Sequence, residues 1–267
     1  MIRLAWVTDP HVPFLSAPAY SALCSALQEY DGVLITGDIA QSESVAEALE
    51  GLTRRTGRAI FFVLGNHDFY NAPSVDGFQK RVSTLGYLSA LPPLDCGEST
   101  YLVGQDGFYD NRAGNIRASH VLLSDMHRIG EFRYLHGAEL TAKIQGVADR
   151  EVARAKAKID KAVTLGATRV IFATHVAPFS GATWHQGKLS DEQWLPWMTC
   201  AAMGKMLRDQ VKRNPTVTFD VYCGHTHSPG VFRESPTLNV YTGEADYGKA
   251  FLSGVVTVPQ LPVLQES

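Results

Sequence analysis

The segment Ile60-Phe61-Phe62-Val63-Leu64-Gly65-Asn66-His67-Asp68 places a short apolar run directly before an amide, an imidazole and a carboxylate. The run is nearly continuous and partly β-branched, which is typical of a strand buried on both faces. The glycine after the run favours a sharp turn, so the polar side chains are expected on a loop at the strand end. Taken alone, the same residues could also make local turn and capping bonds.

Side chains that can bind metals also follow four more apolar runs, at residues 4–7, 33–35, 170–173 and 221–223. A strand end is rigid and the loop beyond it is accessible, so such side chains can converge on one point. The two-residue spacing in Asp9-Pro10-His11 recurs in His225-Thr226-His227 and favours two ligands on one face. The candidates after these four runs are Asp9, His11, Asp38, His175, His225 and His227.

Helical patterns fall between several of these runs, at residues 19–28, 44–55 and 140–165. A hairpin is predicted around residues 97–99, followed by a glycine-rich loop. Further strands are predicted at residues 121–123, 238–242 and 252–258. The alternation predicts an α/β fold in a single domain, 1–267, with a loop and hairpin insertion around 94–120 and a long helix around 140–165.

Composition narrows the class of partner. Lysine and arginine total 24 against 27 aspartate and glutamate residues, so the formal charge is −3. This balance predicts neither a nucleic-acid nor an anionic-membrane partner. The four cysteines are widely separated, and neither a signal peptide nor a membrane-spanning run is recognisable, so we expect a cytoplasmic protein with free thiols. No heptad pattern indicates an oligomeric state.

The five motifs D-x-H, G-D, G-N-H-D, H and G-H-x-H, in this order, resemble those of the calcineurin-like metallophosphoesterase superfamily. They extend from Asp9 to His227 and are all intact. The resemblance implies a four-layer α/β/β/α sandwich of two mixed sheets flanked by helices, with a dinuclear metal centre at the carboxyl ends of strands.

The resemblance also implies a role for each motif residue. Asp38 would bridge two metals, and His67 would face the substrate. One metal would be bound by Asp9, His11 and His227, and the other by Asn66, His175 and His225. Nitrogen and oxygen ligands without thiolate suit manganese, iron, zinc, cobalt or nickel better than magnesium or calcium.

Such a centre would polarise a phosphoric ester and activate a water for attack, so no protein nucleophile is needed. His67 would stabilise phosphoryl charge or protonate the leaving oxygen, with Asp68 orienting it through a hydrogen bond. We therefore expect a metal-dependent hydrolase of small phosphodiesters, cyclic nucleotides among them. A phosphomonoesterase acting on proteins or small molecules is the alternative, and a nuclease or a non-catalytic scaffold is less favoured.

Substrate identity would depend on the loops between the motifs. The candidate segments are residues 69–77, 104–119 and 179–189. Side chains in the last two that could reach a ligand are Tyr109, Asn111, Arg112, Trp184 and His185. For an aromatic residue under a loop, packing is the more frequent role, and a lone arginine is usually a solvated charge.

Overall fold

The computed structural model describes residues 1–82, 85–249 and 251–264. The strands are β1 (Ile2–Val7), β2 (Gly32–Thr36), β3 (Ala59–Val63), β4 (Leu94–Asp95), β5 (Thr100–Gly104), β6 (Arg169–Ala173), β7 (Trp184–His185), β8 (Lys188–Leu189), β9 (Thr218–Cys223), β10 (Gly230–Ser235), β11 (Leu238–Thr242) and β12 (Gly254–Val258). The helices are α1 (Ala17–Leu27), α2 (Ser44–Thr56), α3 (Val75–Gln79), α4 (Asp125–Arg128), α5 (Gly137–Thr164), α6 (Leu195–Met198) and α7 (Ala201–Arg213).

Two mixed sheets form the centre of the fold. The first has the strand order β12-β1-β2-β3, and the second has the order β10-β11-β9-β6-β5-β4. Neighbours among β1, β2 and β3 run parallel, as do those among β5, β6, β9 and β11, whereas β4, β10 and β12 are antiparallel edge strands. The predicted α/β class with two mixed sheets is confirmed.

Alternation along the strands divides the apolar residues between two clusters. On β1, Leu4 and Trp6 lie in the same cluster as Ile171 and Tyr222 of the second sheet, so these side chains fill the space between the sheets. Ala5 and Val7, which point the other way, belong to the cluster that contains the helix residues. Period-two alternation therefore gives each sheet one face toward the other sheet and one toward helices, as a four-layer sandwich requires.

Local signals set the helix ends. The Ser16 side chain accepts a hydrogen bond from the Ala19 amide and caps α1, and Gly57, at φ +66°, ends α2 in the left-handed conformation. The long helix predicted at 140–165 is α5, which buries Leu140, Ile144 and further residues at helical spacing. Helices α5 and α7 contact each other, and α5 also contacts β5.

Three sequence predictions need correction. Residues 121–123 form no strand, and Leu122 is 80% exposed, so this apolar run lacks both a ladder partner and a buried face. The hairpin at β4 and β5 is present, but β5 pairs with β6 inside the second sheet and is not an insertion. The predicted strand at 252–258 begins only at Gly254. Strand β10 and helix α7 were not predicted.

The single-domain organisation stays a prediction, and residues 83, 84, 250 and 265–267 of the range 1–267 lie outside the described residues. Among the helices in the described part of the chain, none has the length and apolar character that crossing a bilayer requires.

Candidate metal centre

The candidate ligands all follow the carboxyl ends of parallel strands. Three of these strands, β1, β2 and β3, belong to the first sheet, while β6 and β9 belong to the second. Both sheets present these ends at the same side of the sandwich, so loops from both meet there. The residues that converge are Asp9, His11, Asp38, Asn66, His175, His225 and His227.

A first group of four side chains has the geometry to hold a metal ion. One ligand atom from each of Asp9, His11, Asp38 and His227 lies within 4.8 Å of the others. The His227 Nε2 atom is 3.3 Å from Asp9 Oδ1, and His11 Nε2 is 3.9 Å from Asp38 Oδ2. Both ring nitrogens of His11 are buried without a hydrogen-bond partner in the described chain. Because an unpaired buried nitrogen is costly, this ring fits a role as a metal ligand.

A second group surrounds His175, which is fully buried. Its Nδ1–H donates to the Thr36 carbonyl at 2.8 Å, so the neutral ring carries its lone pair on Nε2. That Nε2 atom faces Asn66 Oδ1 at 3.0 Å and Asp38 Oδ1 at 3.4 Å. Three electron-rich atoms therefore face one another, an arrangement that a cation between them would stabilise.

His225 borders both groups. Its Nε2–H donates to the Trp197 carbonyl at 2.9 Å, which leaves Nδ1 as the acceptor atom of a neutral ring. Its backbone N–H donates to Asp9 Oδ2 at 3.1 Å, and its ring lies edge-on to His175 with centroids 5.1 Å apart. These bonds connect the loop after β9 to a carboxylate after β1.

Burial and neighbouring charges change the proton affinity of these groups, in different directions. It lowers the pKa of His11 to about 3 and that of His225 to about 4, so both rings are neutral at pH 7. Burial and the nearby Asp9 carboxylate raise the pKa of Asp38. Burial also opposes ionisation of Asp9, but its histidine neighbours, His175 first, outweigh this effect and lower the pKa of Asp9.

The backbone at the centre is unusual. Five candidate ligands adopt positive φ angles between 41° and 70°, a region that non-glycine residues seldom occupy. Such conformations cost free energy and persist where surrounding contacts fix them, typically at functional sites. The five residues are Asp9, His11, Asp38, His225 and His227.

His67 and Asp68 differ in their surroundings. His67 lines the cavity beside the centre, its Nε2 is 3.9 Å from Asp38 Oδ2, and its Nδ1 has no partner among the described residues. Asp68 is fully buried and accepts hydrogen bonds from the Ala40 and Gly65 amides, each at 2.8 Å. The expected bond from Asp68 to the His67 ring is therefore not made, and Asp68 instead ties together the loops after β2 and β3.

Sequence reasoning missed Asp125, the first residue of α4. Its Oδ1 accepts hydrogen bonds from Asn66 Nδ2 at 3.0 Å and from the Tyr70 hydroxyl at 2.7 Å, and its Oδ2 accepts one from Tyr109 at 2.9 Å. By binding the Asn66 amide nitrogen, Asp125 turns the amide oxygen toward His175. Tyr70 in turn stacks on the His67 ring, with centroids 4.4 Å apart. No spacing signal marks Asp125, because an acidic residue at a helix start is common.

A cavity of about 730 Å³ opens beside the centre, lined by Asp38, Asn66, His67 and residues of the loops around 122–125, 185–194 and 247. Of the five side chains predicted to reach a ligand, only His185 lines this cavity. Tyr109 is buried against Asp125, and the Asn111 amide donates to the Pro196 carbonyl. Arg112 pairs with Asp110 and Asp149, and Trp184 packs against Gly230.

Comparison with known proteins agrees with this geometry. A family model described as calcineurin-like phosphoesterase matches residues 2–229. A phosphopantetheinyl hydrolase from Mycobacterium tuberculosis superposes with a TM-score of 0.64 at 13% identity, covering 92% of this chain and 89% of that one. A dimetal phosphatase from Danio rerio superposes with a TM-score of 0.56 at 12% identity, covering 93% and 90%. No curated protein sequence matches significantly.

The two superpositions show a shared fold. The family match covers most of the chain, and the family uses divalent transition metals, for which the buried aspartate and histidine cluster is suited. The chain therefore belongs to the calcineurin-like phosphoesterases and is a metal-dependent phosphoric ester hydrolase.

Proposed function

We propose that this protein hydrolyses phosphodiesters at a dinuclear metal centre. The observation that carries the proposal is the position of Asp38 between the two groups of ligand atoms. Its Oδ2 is 3.9 Å from His11 Nε2, while its Oδ1 is 3.4 Å from His175 Nε2. A carboxylate with one oxygen toward each group is suited to bridging two cations.

The remaining ligands divide between the two sides of Asp38. Asp9, His11 and His227 would hold one ion, and Asn66, His175 and His225 the other. Two transition-metal ions supply polarisation of the phosphoryl oxygens and a water of lowered pKa. The identity of the ions is open among manganese, iron, zinc, cobalt and nickel, since mixed nitrogen and oxygen ligands suit all five.

His67 is the proposed substrate-facing residue. Its ring is held between the Tyr70 ring and the centre, and its backbone N–H donates to Asp38 Oδ1 at 2.8 Å. This position would let the ring contact a phosphoryl or leaving oxygen in the cavity. We assign Asp68 to positioning the loops that carry Asp38 and Asn66. Tyr70, and not Asp68 as expected, is then the residue that orients the His67 ring.

The charges around the cavity favour a diester over a monoester. A monoester carries up to two negative charges at neutral pH, and sites for it commonly use arginine forks. Lys188 is the one lysine among the described residues that line the cavity, and no arginine is among them. A diester, with one negative charge, matches this environment better. The single lysine likewise argues against a nucleic-acid groove, which needs many phosphate contacts.

The test combines metal analysis with parallel assays. We expect about two transition-metal ions per chain by elemental analysis, and a kcat/KM at least tenfold higher for bis(4-nitrophenyl) phosphate than for 4-nitrophenyl phosphate with manganese, iron, zinc, cobalt or nickel. Asp38→Ala should lower both bound metal and turnover, the latter by about 10³-fold or more. Asp209→Ala, an exposed carboxylate on α7, is the matched control and should change neither.

Three results would contradict the proposal. Retention of both metals by Asp38→Ala would remove the bridging assignment. A monoester activity equal to or above the diester activity would make the protein a phosphomonoesterase, and no turnover with any metal would favour a scaffold.

A further inference from the structure

The outer wall of the cavity carries apolar side chains that are exposed. Leu122, Leu189, Trp194 and Tyr247 line it, with exposed fractions of 80%, 47%, 43% and 50%. Leu123 and Met198 line it as well. Single exposed apolar residues are ordinary, but several around one opening mark a binding surface. We call this wall, formed by these six residues, the vestibule.

We propose that the vestibule binds the hydrocarbon part of one of the two alcohols esterified in the phosphodiester substrate, an alkyl chain or an aromatic ring. This inference rests on the proposed function, because the phosphate of the same molecule would occupy the metal centre. Tyr247 joins the two regions: its ring stacks on His11 with centroids 4.5 Å apart and an interplanar angle of 21°. A group esterified to a phosphate at the centre would therefore extend along Tyr247.

Hydrogen bonds hold the hairpin of β7 and β8, which carries Leu189, against the loop that carries the candidate ligands His225 and His227. His185 Nδ1–H donates to the Thr226 carbonyl at 3.1 Å, and the Gln186 amide donates to Ser228 Oγ at 2.9 Å. The part of the vestibule that contains Leu189 is thus fixed relative to the metal centre.

Hydrogen bonds also hold the part of the vestibule that contains Leu122 and Trp194. Ser119 Oγ donates to the Gln193 carbonyl at 2.7 Å and accepts a bond from Trp197 Nε1 at 2.9 Å. These bonds connect the loop that leads to Leu122 with the segment that carries Trp194. A wall organised before binding loses little entropy when a ligand enters, so its apolar surface contributes to affinity.

The few charged side chains that line the cavity disfavour substrates with further negative charges beside the phosphate. Apart from the histidines, Asp38 and Asp125, the charged residues among the described ones lining the cavity are Lys188 and Asp191, which carry opposite signs. A second phosphate, an acidic peptide or a nucleic-acid strand would find little positive charge there. An uncharged apolar group loses nothing in such surroundings and gains by leaving water.

The test uses mixed diesters with a constant 4-nitrophenyl leaving group and a methyl, butyl, hexyl or phenyl group as the second ester, below the critical micelle concentration. Each buried methylene contributes about fourfold in affinity. With partial burial we expect kcat/KM to be at least tenfold higher for the hexyl than for the methyl ester. The phenyl ester shows whether the vestibule prefers a ring or a chain.

The hexyl-to-methyl ratio is compared between variants. In the double variant Leu122→Ser/Leu189→Ser the ratio should fall toward one, whereas in Val231→Ser, which removes an exposed valine of β10 outside the vestibule, it should stay as in the wild type. Equal kcat/KM for methyl and hexyl esters in the wild type, or an unchanged ratio in the double variant, would overturn the inference.

Failure of the proposed function gives a different result. If no diester is hydrolysed, calorimetric titration of the metal-loaded protein with methyl phosphate and hexyl phosphate measures the vestibule directly. At least tenfold tighter binding of hexyl phosphate would support the apolar site without the reaction, and equal binding would reject it.

Discussion

Asp125 illustrates how one buried residue can set the orientation of a ligand. Because its Oδ1 binds the Asn66 amide nitrogen, the amide oxygen faces His175. Residues that orient metal ligands typically affect metal affinity by 10–100-fold when they are removed. Asp125 also binds the Tyr70 hydroxyl, so it connects the metal centre with the residue stacked on His67.

We predict that Asp125→Ala weakens binding of one of the two metals by about 10–100-fold, measured by calorimetric titration of metal into the chelator-treated protein. Asp125→Asn should bind metal within a few-fold of the wild type, since its amide oxygen can still accept from Asn66 while its NH₂ group donates to Tyr109. Tyr109→Phe, which removes only the bond on the other oxygen, is the matched control. A defect in Asp125→Asn as large as that in Asp125→Ala would show that charge, not orientation, is what Asp125 supplies.

At the scale of elements, the turns that follow the strands bring ligands from different strands into contact. Gly65 lies two residues after the end of β3 and against Asp38 in the loop after β2. A Cβ atom there would overlap Asp38 Oδ1 and lie 2.5 Å from Asp38 N and 2.7 Å from His175 Cε1. The strand ends can approach this closely only because no side chain stands at position 65.

Gly65→Ala should therefore lower bound metal and activity and destabilise the fold by about 1–3 kcal/mol, as overpacking does. Chemical denaturation and elemental analysis measure the two effects. Gly146→Ala is the matched control. Outside its chain neighbours and its own helix backbone, the described residues place only Arg150 Nη1, at 3.9 Å, within 4 Å of the added methyl, and an alanine inside α5 favours the helix. Unchanged metal content in Gly65→Ala would contradict the requirement that no side chain stands at this position.

For the whole molecule, the centre connects two sheets between which an apolar cluster packs. Asp9, Asp38 and Asn66 follow strands of the first sheet, and His175, His225 and His227 follow strands of the second. Bound metal would hold both sheets at one edge, and a ligand that binds only the folded state stabilises it by mass action.

We expect saturating metal to stabilise the protein by about 2.7 kcal/mol at a free concentration of 100 Kd. For a chain of this size, that corresponds to a rise in Tm of roughly 5–10 °C. Differential scanning calorimetry of chelator-treated protein, with and without added metal, measures the shift. Asp38→Ala should show little response, and an unchanged Tm in the metal-saturated wild type would argue against a centre shared by the sheets.

The sequence by itself determined the strand–helix alternation and the set of candidate ligands, and the resemblance of its motifs to the family implied the sandwich of two mixed sheets. The ligands are readable because each of them follows an apolar strand, so the signal is local. The sequence misled at residues 121–123, where apolar character indicated a buried strand although Leu122 is exposed at the vestibule. It also favoured Asp68 as the partner of His67 because the two residues are adjacent in the chain, whereas Asp68 binds the Ala40 and Gly65 amides instead.

Only the tertiary structure decided which partners surround the ligands. Asn66 and Asp125 are 59 positions apart, and His175 and Thr36 are 139 apart. Bonds over such separations depend on how the sheets and loops pack, and they leave no periodic pattern in the chain. The vestibule likewise combines side chains from three distant segments. The residues of the centre could thus be read from short motifs, whereas their orientation and the surface that meets the substrate follow from long-range packing.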